Sequence, residues 1–93
     1  MRRVVLFKIK AEADPQDFAT ALEHLQTLDQ RMSEMSTWWL EINPGPEGMW
    51  DAALIADFAD AETLRRYESH VQHVEAATAV AAVSDFAVFD SRG

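Results

Sequence analysis

The stretch RRVVLFKIK, residues 2–10, predicts the first strand of the fold. It is rich in β-branched and aromatic residues, which favour extended structure. Apolar side chains fall on both faces of this strand: Val5, Phe7 and Ile9 on one, Val4 and Leu6 on the other. A strand that is apolar on both faces is usually covered on both faces. The sequence therefore predicts a sheet with a packed layer on one side and a second contact surface on the other.

The chain that follows predicts a helix and then a hairpin. Asp14 is placed to cap a helix over residues 14–32, with Pro15 at the first helical position, where its missing N–H costs nothing. Apolar residues then recur at helical spacing. Residues 36–43 and 49–58 alternate as strands, and NPGPEG at 43–48 predicts the loop between them.

A second helix is predicted from the cap Asp60 to about Val83, and a last strand over residues 85–91. The order βαββαβ is that of a ferredoxin-like α+β fold in one domain, residues 1–93. Both helices would cover one face of the sheet. The other face would stay bare and apolar, which is typical of an interface. It would carry Val4, Leu6, Trp39, Ile55 and one of the late aromatic residues. We expect a homodimer through this open sheet face, giving an α/β barrel.

Composition narrows the classes of partner. The chain has sixteen acidic and eight basic residues, a net charge of −8, so we expect no nucleic-acid binding. No apolar run is long enough for a membrane span or a signal peptide, so we expect no membrane partner and a cytoplasmic location. Cys is absent. His70 and His73 have a spacing that could bring two metal ligands together. Zinc needs a third and usually a fourth ligand, so we expect no metal.

Three segments together resemble a known family. RRVVLFKIK at 2–10, FADAETLRRYESHVQH at 58–73 and VFDS at 88–91 look like the stress-responsive A/B barrel (Dabb) domain, over essentially the whole chain. That family typically opens R-H-V-V-L-F-K and carries Y-x-x-H-P-x-H after its third strand. The resemblance implies a ferredoxin-like fold that dimerises into an α/β barrel, in agreement with the bare sheet face.

The resemblance also implies a candidate site. A plant polyketide cyclase of this family closes a linear polyketide by an intramolecular aldol-type condensation without a cofactor. Carried over by position, its catalytic histidine is His73 and its partner tyrosine is Tyr67. Its cavity between sheet and helices would be lined here by Phe7, Leu22 and Leu54. The sequence departs from the family pattern in three places: Arg3 replaces the early histidine, Val71 replaces the proline, and the cyclase's second tyrosine falls near Leu22.

The direction of His73 is the open question. On a continuous second helix, the stripe of Leu64, Tyr67, Val71, Val74 and Thr78 would face the sheet. His73 would then point about 130° away, toward water. The family resemblance instead places it in the cavity, which requires the helix to break near residues 69–70. Proline would break the helix, whereas Val71 supplies no such break. Both directions stay open from the sequence.

The chemistry of the candidate site depends on the direction of His73. If His73 faces inward, its neutral imidazole can take a proton from the carbon next to a carbonyl, and Tyr67 can donate a hydrogen bond to the enolate oxygen. Arg3 or His70 would orient the substrate; Arg3 would bind a carboxylate or pair with an acidic neighbour. The leading hypothesis is a cofactor-independent polyketide cyclase or lyase. The alternatives are a non-enzymatic stress-responsive dimer that binds a hydrophobic ligand, and a cofactorless monooxygenase of a related dimeric barrel type. Fold alone does not separate them.

Overall fold

A computed structural model describes residues 1–43 and 48–92. Its elements are β1 (Arg2–Ile9), α1 (Pro15–Gln26), a short 3-10 turn (Leu28–Gln30), β2 (Thr37–Ile42), β3 (Ala52–Asp57), α2 (Ala61–Ser69), α3 (Val71–Val83) and β4 (Ser84–Ser91). This order confirms the predicted ferredoxin-like α+β fold, with the second helix divided in two. Most of the predicted loop at 43–48 lies outside the described residues.

The four strands form one antiparallel sheet in the order β2-β3-β1-β4. β1 is an inner strand, with β3 on one side and β4 on the other. Its register places Val5 opposite both Leu54 and Val88. Because residues directly opposite each other share a face of the sheet, these three side chains point toward the helices. The antiparallel pairing of β2 with β3 confirms the predicted hairpin partners.

Helix α1 is capped as predicted but ends earlier than residue 32. The Gln16 N–H donates to the Asp14 carboxylate at 2.8 Å, and Pro15 occupies the first helical position. The Thr27 hydroxyl then donates back to the carbonyl of His24 at 3.2 Å. Hydroxyl groups that bond nearby backbone compete with the helical ladder, and the helix ends here. Leu28 and Met32 lie beyond that end, yet both are still buried.

The helix between β3 and β4 breaks at His70, although the chain has no proline there. His70 has extended backbone, with φ −67° and ψ 136°, and separates α2 from α3. Its ring Nδ1 accepts a hydrogen bond from the Gln72 N–H at 3.1 Å, which caps α3. The Arg31 Nε donates to the Gln72 side chain at 3.1 Å, and the Ser69 hydroxyl donates to the Arg65 carbonyl at 3.2 Å. These polar contacts hold the break that proline would otherwise make.

The break corrects the predicted inner stripe of the second helix. Leu64 and Tyr67, before the break, are buried as expected. Val71, Val74 and Thr78, after it, were predicted to face the sheet but are exposed. Ala76 and Val80 are buried in their place. A single continuous helix fixes one direction for all its residues, whereas the extended His70 lets α3 start a new one.

The middle of the sheet face away from the helices is apolar and uncovered in one chain, as predicted. Val4 pairs with Ile55 on one side and Phe89 on the other, and Trp39 pairs with Ile55. These four side chains form a continuous row across all four strands, which we call the open face. Trp39 is 55% exposed and Phe89 is 66% exposed. Phe89 is therefore the late aromatic residue of this face.

Candidate functional site

A cavity of about 440 Å³ lies on the helix side of the sheet, where α2 and α3 cross β1 and β4. Its volume falls in the range of small-molecule sites. Its wall consists of Arg3, Val5, Phe7, Leu25, Leu54, Tyr67, Glu68, His73, Ala77, Val80, Phe86 and Val88. Most of these side chains are apolar, and the polar ones come from β1 and from either side of the helix break.

Tyr67 and His73 are in direct contact on this wall. Their ring centroids are 4.2 Å apart, with the planes tilted by 43°. Tyr67 is almost fully buried and also packs against Phe58, with the ring centroids 4.9 Å apart. Its hydroxyl has no hydrogen-bond partner among the described residues. Since none of their fully buried polar side-chain atoms lacks a partner, this hydroxyl keeps some accessible surface, and Tyr67 lines the cavity.

The helix break fixes the orientation of His73. Its Nδ1 lies 3.0 Å from the backbone carbonyl of Glu68, at the end of α2. A carbonyl only accepts, so this contact favours the tautomer in which Nδ1 carries the proton. Nε2 is then unprotonated and can accept a proton. Anchoring of one ring nitrogen by a backbone carbonyl is a common way to set the tautomer of a functional histidine.

Burial shifts both groups of this pair toward their neutral forms. Burial lowers the pKa of His73 below the usual 6.5, opposed by its bond to the Glu68 carbonyl. Burial raises the pKa of Tyr67 far above the usual 10.0. At neutral pH the imidazole is therefore an uncharged base, and the phenol keeps its proton as a hydrogen-bond donor.

Arg3 is held by two carboxylates at one end of the cavity. Its Nε and Nη2 donate to the two oxygens of Asp90 at 2.8 and 2.9 Å, and its Nη1 donates to Glu68 at 3.1 Å. Asp90 lies directly opposite Arg3 in the β1–β4 ladder. The guanidinium lowers the pKa of Asp90, mainly through these hydrogen bonds. Of the two predicted behaviours of Arg3, the structure has the ion pair with acidic neighbours.

Residues 1–92 match the Stress responsive A/B Barrel Domain. The chain belongs to the Dabb family. Solved structures share its fold. A dimeric protein of unknown function with a ferredoxin-like fold from Bacteroides fragilis has a TM-score of 0.82 at 20% identity, over 97% of this chain and 92% of that one. No match was found among curated proteins.

Two further structures with this fold are of enzymes. SnoaB, a cofactor-independent oxygenase from Streptomyces nogalater, has a TM-score of 0.69 at 19% identity, over 99% of this chain and 92% of that one. A hydroxynitrile lyase from Passiflora edulis has a TM-score of 0.73 at 14% identity, over 99% of this chain and 94% of that one. At this level of identity the likeness shows the common fold.

The cavity of this Dabb protein contains five of the seven residues that the sequence indicated. Tyr67, His73, Arg3, Phe7 and Leu54 lie on its wall. The other two do not. Leu22 is 1% exposed and packs within the core, because it lies on the stripe of α1 that faces the closed part of the sheet. The ring of His70 caps α3, so it serves the helix break rather than the cavity.

Glu68 and the β4 side of the cavity were not predicted from the sequence. Glu68 supplies a carbonyl to His73 and a carboxylate to Arg3, and neither contact is visible without the helix break. Phe86 and Val88 face the helix side but remain about half exposed, because β4 is an edge strand at the cavity mouth. Their alternation with Ala87 and Phe89 was the available signal.

Two further observations concern partners. Within residues 1–43 and 48–92, no three or more His, Cys, Asp or Glu side chains are grouped so as to hold a metal ion. In the same part of the chain, no helix has the length and apolar character needed to cross a membrane.

Proposed function

We propose that this Dabb protein is a cofactor-independent cyclase or lyase that acts on a carbonyl compound, with His73 as general base and Tyr67 as hydrogen-bond donor. One observation carries the proposal: the two rings are in contact on the wall of an apolar cavity, and His73 is anchored through Nδ1. Proximity of a base and a donor on one wall is what enolate chemistry requires.

The proposed reaction is a proton transfer followed by a change at carbon. His73 Nε2 takes a proton from the carbon next to a carbonyl group, and the electrons of the C–H bond form an enolate. The Tyr67 hydroxyl donates a hydrogen bond to the enolate oxygen. In a cyclase, the enolate carbon attacks a second carbonyl of the same molecule, and the new alkoxide takes the proton back from His73. A lyase runs the same steps in reverse.

The protonation states support these roles. The lowered pKa of His73 keeps the base uncharged at neutral pH, and the raised pKa of Tyr67 keeps the donor protonated. Tyr67 also needs no rearrangement to act, since its ring is fixed by Phe58 and Trp38. The cofactor-independent oxygenase and the hydroxynitrile lyase with this fold support the choice of an enzyme.

Proton exchange tests the proposal without knowledge of the natural substrate. Naphthylacetone, a neutral aryl ketone, is incubated with the protein in deuterium oxide, and loss of its α-proton signals is followed by NMR. We expect exchange well above the protein-free rate. His73→Ala should reduce it by about 10²–10⁴-fold, and Tyr67→Phe by about 10²–10³-fold. His24→Ala, at an exposed position on α1, is the matched control and should retain the rate.

Other outcomes point to the other functions. Tight binding of the ketone with no exchange above the protein-free rate would favour the non-enzymatic function, in which the protein only binds a hydrophobic ligand. Consumption of dioxygen together with the ketone would favour the monooxygenase. Equal rates in the native protein and in His73→Ala would reject His73 as the base.

We also propose that the protein acts as a homodimer whose open faces pack against each other. The row of Trp39, Ile55, Val4 and Phe89 is apolar and contiguous, and such a row is rarely left in water. The Bacteroides fragilis protein with this fold is dimeric. Sedimentation velocity at micromolar concentration should give a dimer. Phe89→Glu should shift it toward monomer, whereas Val74→Glu, at an exposed position on α3, should not. A native monomer would reject the dimer.

A further inference from the structure

We infer that the cavity admits neutral carbonyl compounds and excludes carboxylates, because Arg3, the cation on its wall, is already occupied by Asp90 and Glu68. This inference names a substrate class and rests on the proposed function for the identity of the cavity as the substrate site. It also reverses the expectation that an arginine at this position receives an acidic ligand.

Asp90 already occupies the Nε and Nη2 edge of Arg3, which is the edge that could hold a ligand carboxylate through two hydrogen bonds. Nε and Nη2 meet both oxygens of Asp90 in a parallel, bidentate pair, at 2.8 and 2.9 Å. Pairs of this kind are among the strongest polar contacts in proteins. The register of β1 and β4 places the two residues opposite each other, so the backbone holds the pair together. An incoming carboxylate would have to displace Asp90 from a position that the sheet enforces.

The charge at this end of the cavity is also unfavourable for an anion. One guanidinium and two carboxylates leave a net charge of −1 on Arg3, Asp90 and Glu68 together. The Glu68 side chain is 45% exposed, so solvent weakens its repulsion of an anion but does not change the sign. Among the described residues that line the cavity, Arg3 is the one cationic side chain. The chain as a whole carries −8 and gives no compensating attraction.

The remaining polar groups suit a neutral ligand. The Tyr67 hydroxyl can donate to a carbonyl oxygen, and neutral His73 offers an acceptor at Nε2. The rest of the wall is apolar, apart from the acidic cluster with Arg3. A ketone or ester with an apolar body matches this set, because each of its polar atoms meets one partner and no charge has to be buried.

A pair of probes with nearly the same shape tests the inference by binding rather than turnover. Naphthylacetone carries a methyl ketone where naphthylacetate carries a carboxylate. Isothermal titration calorimetry on the native protein should give an affinity for the ketone that is at least about tenfold higher. Glu68→Gln removes one of the two negative charges beside Arg3 and makes the cluster neutral, while keeping the backbone carbonyl that anchors His73. In this variant naphthylacetate should bind more tightly, so the ratio of the ketone affinity to the carboxylate affinity should fall by about fivefold or more.

The controls isolate the role of the cluster. Glu62→Gln removes the same charge from the same helix, but Glu62 pairs with Arg66 away from the cavity, so the native preference should persist. Asp90→Asn should act like Glu68→Gln. The double variant Arg3→Met, Glu68→Gln should lose the gain in naphthylacetate binding, because it removes the cation and leaves the negative charge of Asp90.

Three results would overturn the inference. The native protein could bind naphthylacetate as tightly as naphthylacetone, or bind neither probe at millimolar concentration. Alternatively, Glu62→Gln could change the preference as much as Glu68→Gln does. A different result would reject the proposed function alone. In that case the protein would prefer the ketone and the preference would change in Glu68→Gln, but no α-proton exchange would occur.

Discussion

Helix α1 and the α2–α3 pair cover the same face of the same sheet, yet they do different things with it. α1 is continuous, and its buried residues Phe18, Ala21 and Leu22 close the core; only Leu25, in its last turn, also contacts the cavity. The second connection is interrupted at His70, and the interruption brings Tyr67 and His73 together beside a cavity. A single residue with extended backbone thus turns the second connection from a packing helix into one wall of a cavity.

The largest expected contrast comes from proline placed in each connection. Glu23→Pro, inside α1, removes a helical hydrogen bond and should cost about 3 kcal/mol or more of the free energy of unfolding. Val71→Pro should instead raise it by roughly 0.4–1 kcal/mol. Val71 is the first residue of α3, and His70 already has the extended backbone that a following proline requires. Urea denaturation measures both.

The proline experiment also tests the break itself. A large loss of stability in Val71→Pro would mean that α2 and α3 form one helix in solution. That result would return His73 to the solvent side and remove the basis of the proposed pair.

The next effect distinguishes the two helix caps. Asp14 caps α1 and His70 caps α3, each by accepting a hydrogen bond from the backbone two residues on. Asp14→Ala and His70→Ala should each cost about 1 kcal/mol of stability. Only His70→Ala should also slow α-proton exchange, because only α3 carries His73. Unchanged exchange in His70→Ala would show that the cap does not position the base.

The smallest effect is a dependence of stability on pH that belongs to the second connection. Burial lowers the pKa of His73 in the folded protein below the unfolded value of 6.5. Between these two values the unfolded chain binds more protons, so stability should fall as the pH drops through 6.5 and level off below the folded-state pKa. His73→Gln should remove this component. Urea titrations at about pH 7.5 and about pH 5.5 measure it; an identical pH dependence in the variant would contradict it.

Sequence patterns predicted the strands and helices well, because each of these elements leaves its own local periodicity in the sequence. The alternation in residues 2–10 gave both faces of β1, and the caps at Asp14 and Asp60 gave the starts of α1 and α2. The open face followed from the same alternation, down to Trp39 and Ile55. Family resemblance, rather than periodicity, pointed to Tyr67 and His73.

Periodicity could not predict the break, because its causes are spread along the chain, and only the family resemblance required a break near residues 69–70. At the break, the ring of His70 accepts a hydrogen bond from the Gln72 N–H. Arg31, which is forty-one positions before Gln72 in the sequence, donates a hydrogen bond to the Gln72 side chain. Neither contact leaves a periodic signal. The partners of Arg3 were hidden for the same reason, since Asp90 becomes its neighbour only when the first and last strands pair.

That pairing makes the cavity depend on a contact between distant parts of the chain. Arg3 and Asp90 are 87 positions apart in sequence, yet they lie opposite each other in the sheet. Contacts of such long sequence separation carry the entropic cost of closing a long loop. A chain cut after α3 would keep Tyr67 and His73, but it would lack Phe86, Val88 and the carboxylate of Asp90. One wall of the cavity therefore exists only where β1 and β4 have paired.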